Sequence, residues 1–106
     1  MKALTSRFSK EVYERNAEIY KTLANAKRLE ILNAIRDREA TVTELSKMLG
    51  VRKANTSQHL MVLRHLGLVT IRKTGKYVYY KIVHPGLVEP CLILKELYEH
   101  KKLGNR

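Results

Sequence analysis

Residues 41–67 read TVTELSKMLGVRKANTSQHLMVLRHLG, and the fold turns on how this stretch is parsed. Thr41 and Glu44 stand at capping-box spacing: the hydroxyl can accept from the amide three residues on, and the carboxylate can reach back. A short helix therefore follows, to about Leu49. Gly50 supplies a tight turn, and a second helix runs from about residue 52 to 65 before Gly67 ends it. Leu45, Leu49, Val51, Leu60 and Leu63 provide the apolar seam between two helices packed across such a turn. The unit is a helix-turn-helix.

Its second helix has a distinct outer face. With Thr56, Leu60 and Leu63 turned inward, the 100° step per residue points Ala54 and Gln58 nearly opposite and leaves Asn55 and Ser57 at the sides. Asn and Gln pair bidentately with adenine, and Arg or Lys with guanine, so Arg52, Lys53, Asn55 and Gln58 suit the reading of base edges. Taken singly, each also fits an ordinary solvated helix face. Arg52 and Lys53 add a local conflict, because cations at a helix N-terminus meet the positive end of its dipole at a cost of about 0.3–1 kcal/mol each. A phosphate arriving there reverses the sign of that interaction.

Working outward, apolar positions recur at helical spacing over residues 8–23 (Phe8, Val12, Ala17, Ile19, Tyr20, Leu23), with charged residues between them. Asn25 is placed to cap a second helix in which Leu29, Leu32 and Ile35 line one face and Ile31 sits on its flank. On the other side, residues 68–73 and 77–83 are rich in β-branched and aromatic types with Thr74, Gly75 and Lys76 between them, the pattern of a hairpin. Arg72, Lys73 and Lys76 lie near its tip, where phosphate contacts orient a protein on a duplex without reading sequence; a charged edge hairpin kept soluble by Lys and Arg has the same composition. Tyr77, Tyr79 and Tyr80 include core-facing strand residues rather than base-stacking ones. A last amphipathic run holds Leu87, Val88, Cys91, Leu94, Leu97, Tyr98 and Leu103. Pro90 suits its first turn, so the regular helix starts near residue 90.

The chain has 106 residues, 44% of them hydrophobic, which is the size of one domain. A core this small favours self-association. The 21 Lys and Arg against 10 Asp and Glu give a net charge of +11, which a dimer doubles. Such a field draws polyanions, nucleic acid before an anionic membrane surface. No apolar run of a secretion signal follows the first basic residues, and no stretch is long enough to span a bilayer. The single cysteine excludes an intrachain disulfide and zinc-ribbon spacing, which fits a reducing cytoplasm. With no glycine-rich phosphate loop, no Ser-His-Asp arrangement and no second thiol, an enzyme is not expected.

Over residues 20–82 the sequence resembles the ArsR/SmtB winged-helix repressors of bacteria and archaea. LANAKRLEIL at 23–32 is similar to the family's second-helix signature, TEL at 43–45 through SQHL at 57–60 to its helix-turn-helix, and GLV at 67–69 with GKYVYYK at 75–81 to its wing. The resemblance implies a dimer formed largely by the first and last helices, an inverted-repeat operator, and repression relieved by an inducer. It also favours a DNA-proximal role for His59. Relatives that sense soft metals often carry Cys-x-Cys at the start of the motif's first helix, where this chain has Thr41-Val42-Thr43; hydroxyls do not replace thiolates. A second family site for zinc-like ions pairs Asp-x-His with a later His-x-x-Glu or His-x-x-His. Here His84 and His100 fall on two of those positions, but Gly86 and Leu97 occupy the other two. Two imidazoles from each subunit of a dimer still number a tetrahedral set, so a transition metal stays possible while no cofactor is expected. Cys91 at a dimer interface is able to pair with its symmetry mate; a lone cysteine on an apolar helical face is otherwise a small hydrophobe.

The expectation is a mainly α chain with a small β-hairpin, a winged helix-turn-helix forming one DNA-binding domain over 1–106. Dimerisation helices span 1–24 and 87–103, the helix-turn-helix 43–66 and the wing 68–83. The protein is read as a cytoplasmic, homodimeric, sequence-specific repressor that contacts double-stranded DNA through Arg52, Lys53, Asn55, Ser57, Gln58, His59, Arg72, Lys73 and Lys76. Two other readings stay open at this point: an architectural DNA-binding protein of low specificity, and a protein-interaction module that uses the winged helix as a scaffold.

Overall fold

The computed structural model describes residues 2–104, with side chains through residue 101. The chain runs α1 (Lys10–Leu23), α2 (Ala26–Ala34), α3 (Val42–Leu49), α4 (Lys53–His65), β1 (Val69–Thr74), β2 (Tyr77–Ile82), a 3-10 turn (Pro85–Val88) and α5 (Glu89–Gly104). Three helix starts are set by side-chain caps. The Ser9 hydroxyl accepts from the Val12 amide at 3.4 Å, which starts α1 two residues after Phe8. Asn25 Oδ1 accepts from the Arg28 amide at 3.1 Å. At α3 the capping box is complete: Thr41 Oγ1 accepts from the Glu44 amide at 3.2 Å, and Glu44 Oε1 accepts from the Thr41 amide at 3.0 Å.

Gly50 ends α3 in the left-handed region, φ 69°, with its amide bonded back to Ser46 and Lys47. That conformation, disfavoured for residues with a Cβ, turns the chain sharply enough for α4 to pack across α3. Leu45 and Leu49 of α3 meet Leu60 and Leu63 of α4 in the core, joined by Ile31, Leu32 and Ile35 of α2. Ile31 is fully buried and Leu29 only half-buried, so the expected flank residue belongs to the core and the expected face residue borders it. Where α3 crosses α4, the buried Ser46 hydroxyl donates to Thr56 Oγ1 at 2.9 Å. Thr56→Val strands one buried hydroxyl and is expected to cost about 1–3 kcal/mol. Adding Ser46→Ala recovers part of it, as chemical denaturation of the single and double variants will show.

The hairpin is tighter than expected. Thr74 pairs with Tyr77, leaving a two-residue loop of Gly75 (φ 55°) and Lys76, the arrangement with glycine first that suits the twist of the strands. Val69, Ile71, Tyr80 and Ile82 share the inner face, and the buried Val69 pairs with the buried Ile82. Ala40 and Tyr80 exchange backbone hydrogen bonds of 3.1 and 2.8 Å, tying the segment before α3 to the wing.

α1 and α5 stand apart from this core. Leu23 alone is buried in α1, while Tyr13 and Tyr20 are exposed, and on α5 Leu92, Ile93, Leu94, Leu97 and Tyr98 are each about half to two-thirds exposed. Leu103, expected on the same face, lies outside the described side chains. The radius of gyration is 17.1 Å, against about 13 Å for a compact chain of this length. Apolar helices held away from the core account for the excess. Among the described residues no helix is long and apolar enough to cross a membrane.

Candidate nucleic-acid interface

α4 differs from α1, α2 and α3 at its first turn: Arg52 is the N-cap and makes no side-chain capping bond. The Lys53 and Ala54 amides are therefore left without a capping acceptor, while the Asn55 amide donates back to the Arg52 carbonyl at 3.0 Å. Around them stand Arg52 and Lys53, both exposed, and beside these Thr43 and Lys47 of α3 line the same shallow depression with Gly50 and Val51. Neither Arg52 nor Lys53 forms an ion pair among the described residues. Two uncapped helix amides and four donor side chains, with no ion pair to Arg52, Lys53 or Lys47 among the described residues, are groups whose chemistry suits an anion.

Beyond this turn, Ala54, Asn55, Ser57 and Gln58 are exposed, as Thr56, Leu60 and Leu63 are buried. The helical step thus sets Gln58 at the centre of the open face, flanked by Asn55 and Ser57. Met61 and His65 extend the same exposed stripe.

His59 lies elsewhere. It is half-buried against α2, and its Nδ1 accepts from Arg28 Nε at 3.2 Å, which places the ring proton on Nε2. Burial, then the Arg28 and Lys27 charges, push its pKa below the ordinary histidine value.

The structure does not gather the three basic wing residues. Arg72 and Lys73 are consecutive on β1 and point to opposite faces of the hairpin. Arg72 is held at its base: Nη2 lies 2.8 Å from Glu39 Oε1, and the guanidinium sits 4.7 Å from the Tyr79 ring centroid. The Arg72 hydrogen bonds keep the Glu39 carboxylate below its usual pKa range. Lys73 and Lys76 are exposed and unpaired among the described residues, with the Lys76 ammonium 5.6 Å from the Tyr77 ring centroid. Of the three tyrosines, Tyr80 packs against the core while Tyr77 is exposed.

His84 is exposed and caps the 3-10 turn, Nδ1 accepting from the Gly86 amide at 2.8 Å. His100 lies on the exposed part of α5. Within one chain, no group of three His, Cys, Asp or Glu side chains among the described residues is placed to hold a metal ion. Cys91 is half-buried, its sulfur 3.5 Å from Asn33 Nδ2.

Sequence reasoning missed Thr43, Lys47 and Arg28. The first two were findable, since i and i+4 on a helix whose opposite face carries Leu45 and Leu49 must lie together outside. Arg28 was not, because its partners are 6 and 31 residues away.

Comparison with known proteins bears on the family and the fold. Residues 25–70 match the profile of the bacterial regulatory proteins of the arsR family. HlyU of Vibrio cholerae, named a transcriptional activator, is 38% identical over 80 residues, spanning 76% of this chain and 74% of that protein. Its solved structure aligns at TM-score 0.74 and 33% identity over 85% of this chain and 98% of that one. A homolog of the transcriptional repressor SmtB from Synechocystis is 32% identical over 84 residues, 79% of this chain and 61% of that protein. The homodimeric winged helix-turn-helix DNA-binding domain of a possible ArsR-family regulator from Mycobacterium bovis, solved by NMR, aligns at TM-score 0.70 and 26% identity over 96% of each chain.

Proposed function

Since the chain belongs to the arsR family of bacterial regulatory proteins, we propose that it is a homodimeric transcriptional repressor that reads an inverted-repeat operator with two copies of α4. The observation that carries this reading is the uncapped, basic first turn of α4 beside Thr43 and Lys47. A DNA phosphate completes that turn and anchors the helix, so that Asn55, Ser57 and Gln58 meet base edges in the major groove. Lys73 and Lys76 approach the neighbouring backbone, and Arg72 braces the wing against Glu39. The exposed apolar faces of α1 and α5 support pairing with a second subunit, as in the homodimeric Mycobacterium bovis domain. Operator occupancy then excludes the transcription machinery.

No metal step is assigned: His84 already caps a turn through Nδ1, and Thr41 and Thr43 stand where thiolates are needed. The test is a titration of the protein on the region upstream of its own gene and on a scrambled duplex, at several salt concentrations and with and without chelator. Preference for the upstream region, a steep loss of affinity with salt and indifference to chelator are expected. Equal affinity for both duplexes would instead favour an architectural protein of low specificity.

A further inference from the structure

Arg28 occupies the junction of three helices. Its amide donates to the Asn25 cap of α2, its Nη1 donates to the Thr22 carbonyl in the last turn of α1 at 3.0 Å, and its Nε donates to His59 Nδ1 on α4. α1 packs on α2, and α2 on α4. Arg28 therefore joins the helix assigned to subunit pairing to the helix assigned to DNA reading.

We propose that Arg28, through His59, is a positioning residue that fixes the orientation of α4 relative to α1 and so sets the preference for operator over other DNA. The inference rests on the DNA-binding reading above and adds a regulation to it. The link works only with an unprotonated Nδ1. A proton there removes the acceptor and sets an imidazolium against the Arg28 guanidinium. Among the described residues the charges acting on His59 are those of Arg28 and Lys27, both on α2, and neither favours protonation. The folded-state pKa lies below the unfolded value of about 6.5, so the link is intact above that pH and is lost as pH falls through the lower folded value.

The direction separates this link from ordinary electrostatics. Protonating a histidine on a DNA-binding protein adds positive charge and strengthens attachment to any duplex. Loss of the Arg28 link instead weakens operator binding relative to random DNA. The experiment measures affinities of the full chain for operator and scrambled duplex at fixed salt from pH 7.5 to 5.0, using wild type, His59→Asn and Arg28→Gln. Asparagine keeps an acceptor near the place of Nδ1 and does not titrate.

Wild type is expected to lose about tenfold in operator preference across this range. His59→Asn should hold its preference at every pH, while Arg28→Gln should show the reduced preference already at pH 7.5. A wild-type preference indifferent to pH, or a His59→Asn variant that loses it as wild type does, overturns the proposal while leaving specific binding in place. No preference in wild type at pH 7.5 overturns the DNA-reading assignment as well.

Discussion

Replacing Leu94 and Leu97 together by glutamate is expected to yield a folded monomer that no longer holds the operator. Both side chains are about 60% exposed in the isolated chain, and the core residues of α2, α3, α4 and the wing do not include them. Their loss therefore leaves the core intact, while two carboxylates placed in an apolar subunit contact carry a desolvation cost that dimerisation cannot recover. A dimer holds its second recognition helix at a high effective concentration over the second half-site, which multiplies affinity by about 10²–10⁴. Light scattering should show the mass of one chain, and the titration should show operator affinity falling toward that for scrambled DNA. A variant that stays dimeric, or a monomer with undiminished operator affinity, contradicts the assignment of these helices.

The second large effect is expected at the start of α4. Arg52→Ala with Lys53→Ala removes two cations from the phosphate seat of each subunit. Operator affinity should fall about a hundredfold at 0.1 M salt, and the dependence on log salt should flatten by about two per subunit. Stability should move the other way. The wild-type cations face the positive end of the helix dipole, so the variant is expected to gain up to about 0.3–1 kcal/mol per substitution in denaturation. Weaker binding by a more stable protein marks residues retained for a ligand; a loss of stability, or unchanged affinity, argues that they serve the fold alone.

The difference between what was legible in the sequence and what was not follows the range of the interactions. Caps, the glycine turn after α3 and the inward set Thr56, Leu60 and Leu63 depend on neighbours within one or two helical turns, and the structure has them as expected. Ser9 also sets a start by local capping, but the apolar spacing at Phe8 ran past it. Long-range pairs were invisible: Ser46 with Thr56, Ala40 with Tyr80, Arg72 with Glu39 and Arg28 with His59 each need the packed fold to meet. These pairs changed the site. A basic cluster at the wing tip separates into a brace at Arg72 and two lysines unpaired among the described residues, and His59, given a DNA-proximal role by the resemblance, packs against α2 with Arg28 on its Nδ1. The outward stripe of α4 was readable because burial of one helical face dictates the other.

The central claim is that two copies of α4 enter successive major grooves of one operator. Hydroxyl-radical footprinting of the wild-type protein on the region upstream of its gene tests it most directly. Two protected blocks related by a dyad and centred about one helical turn apart on one face of the duplex are expected. A single block without a dyad, or uniform protection that follows protein concentration without regard to sequence, would contradict it.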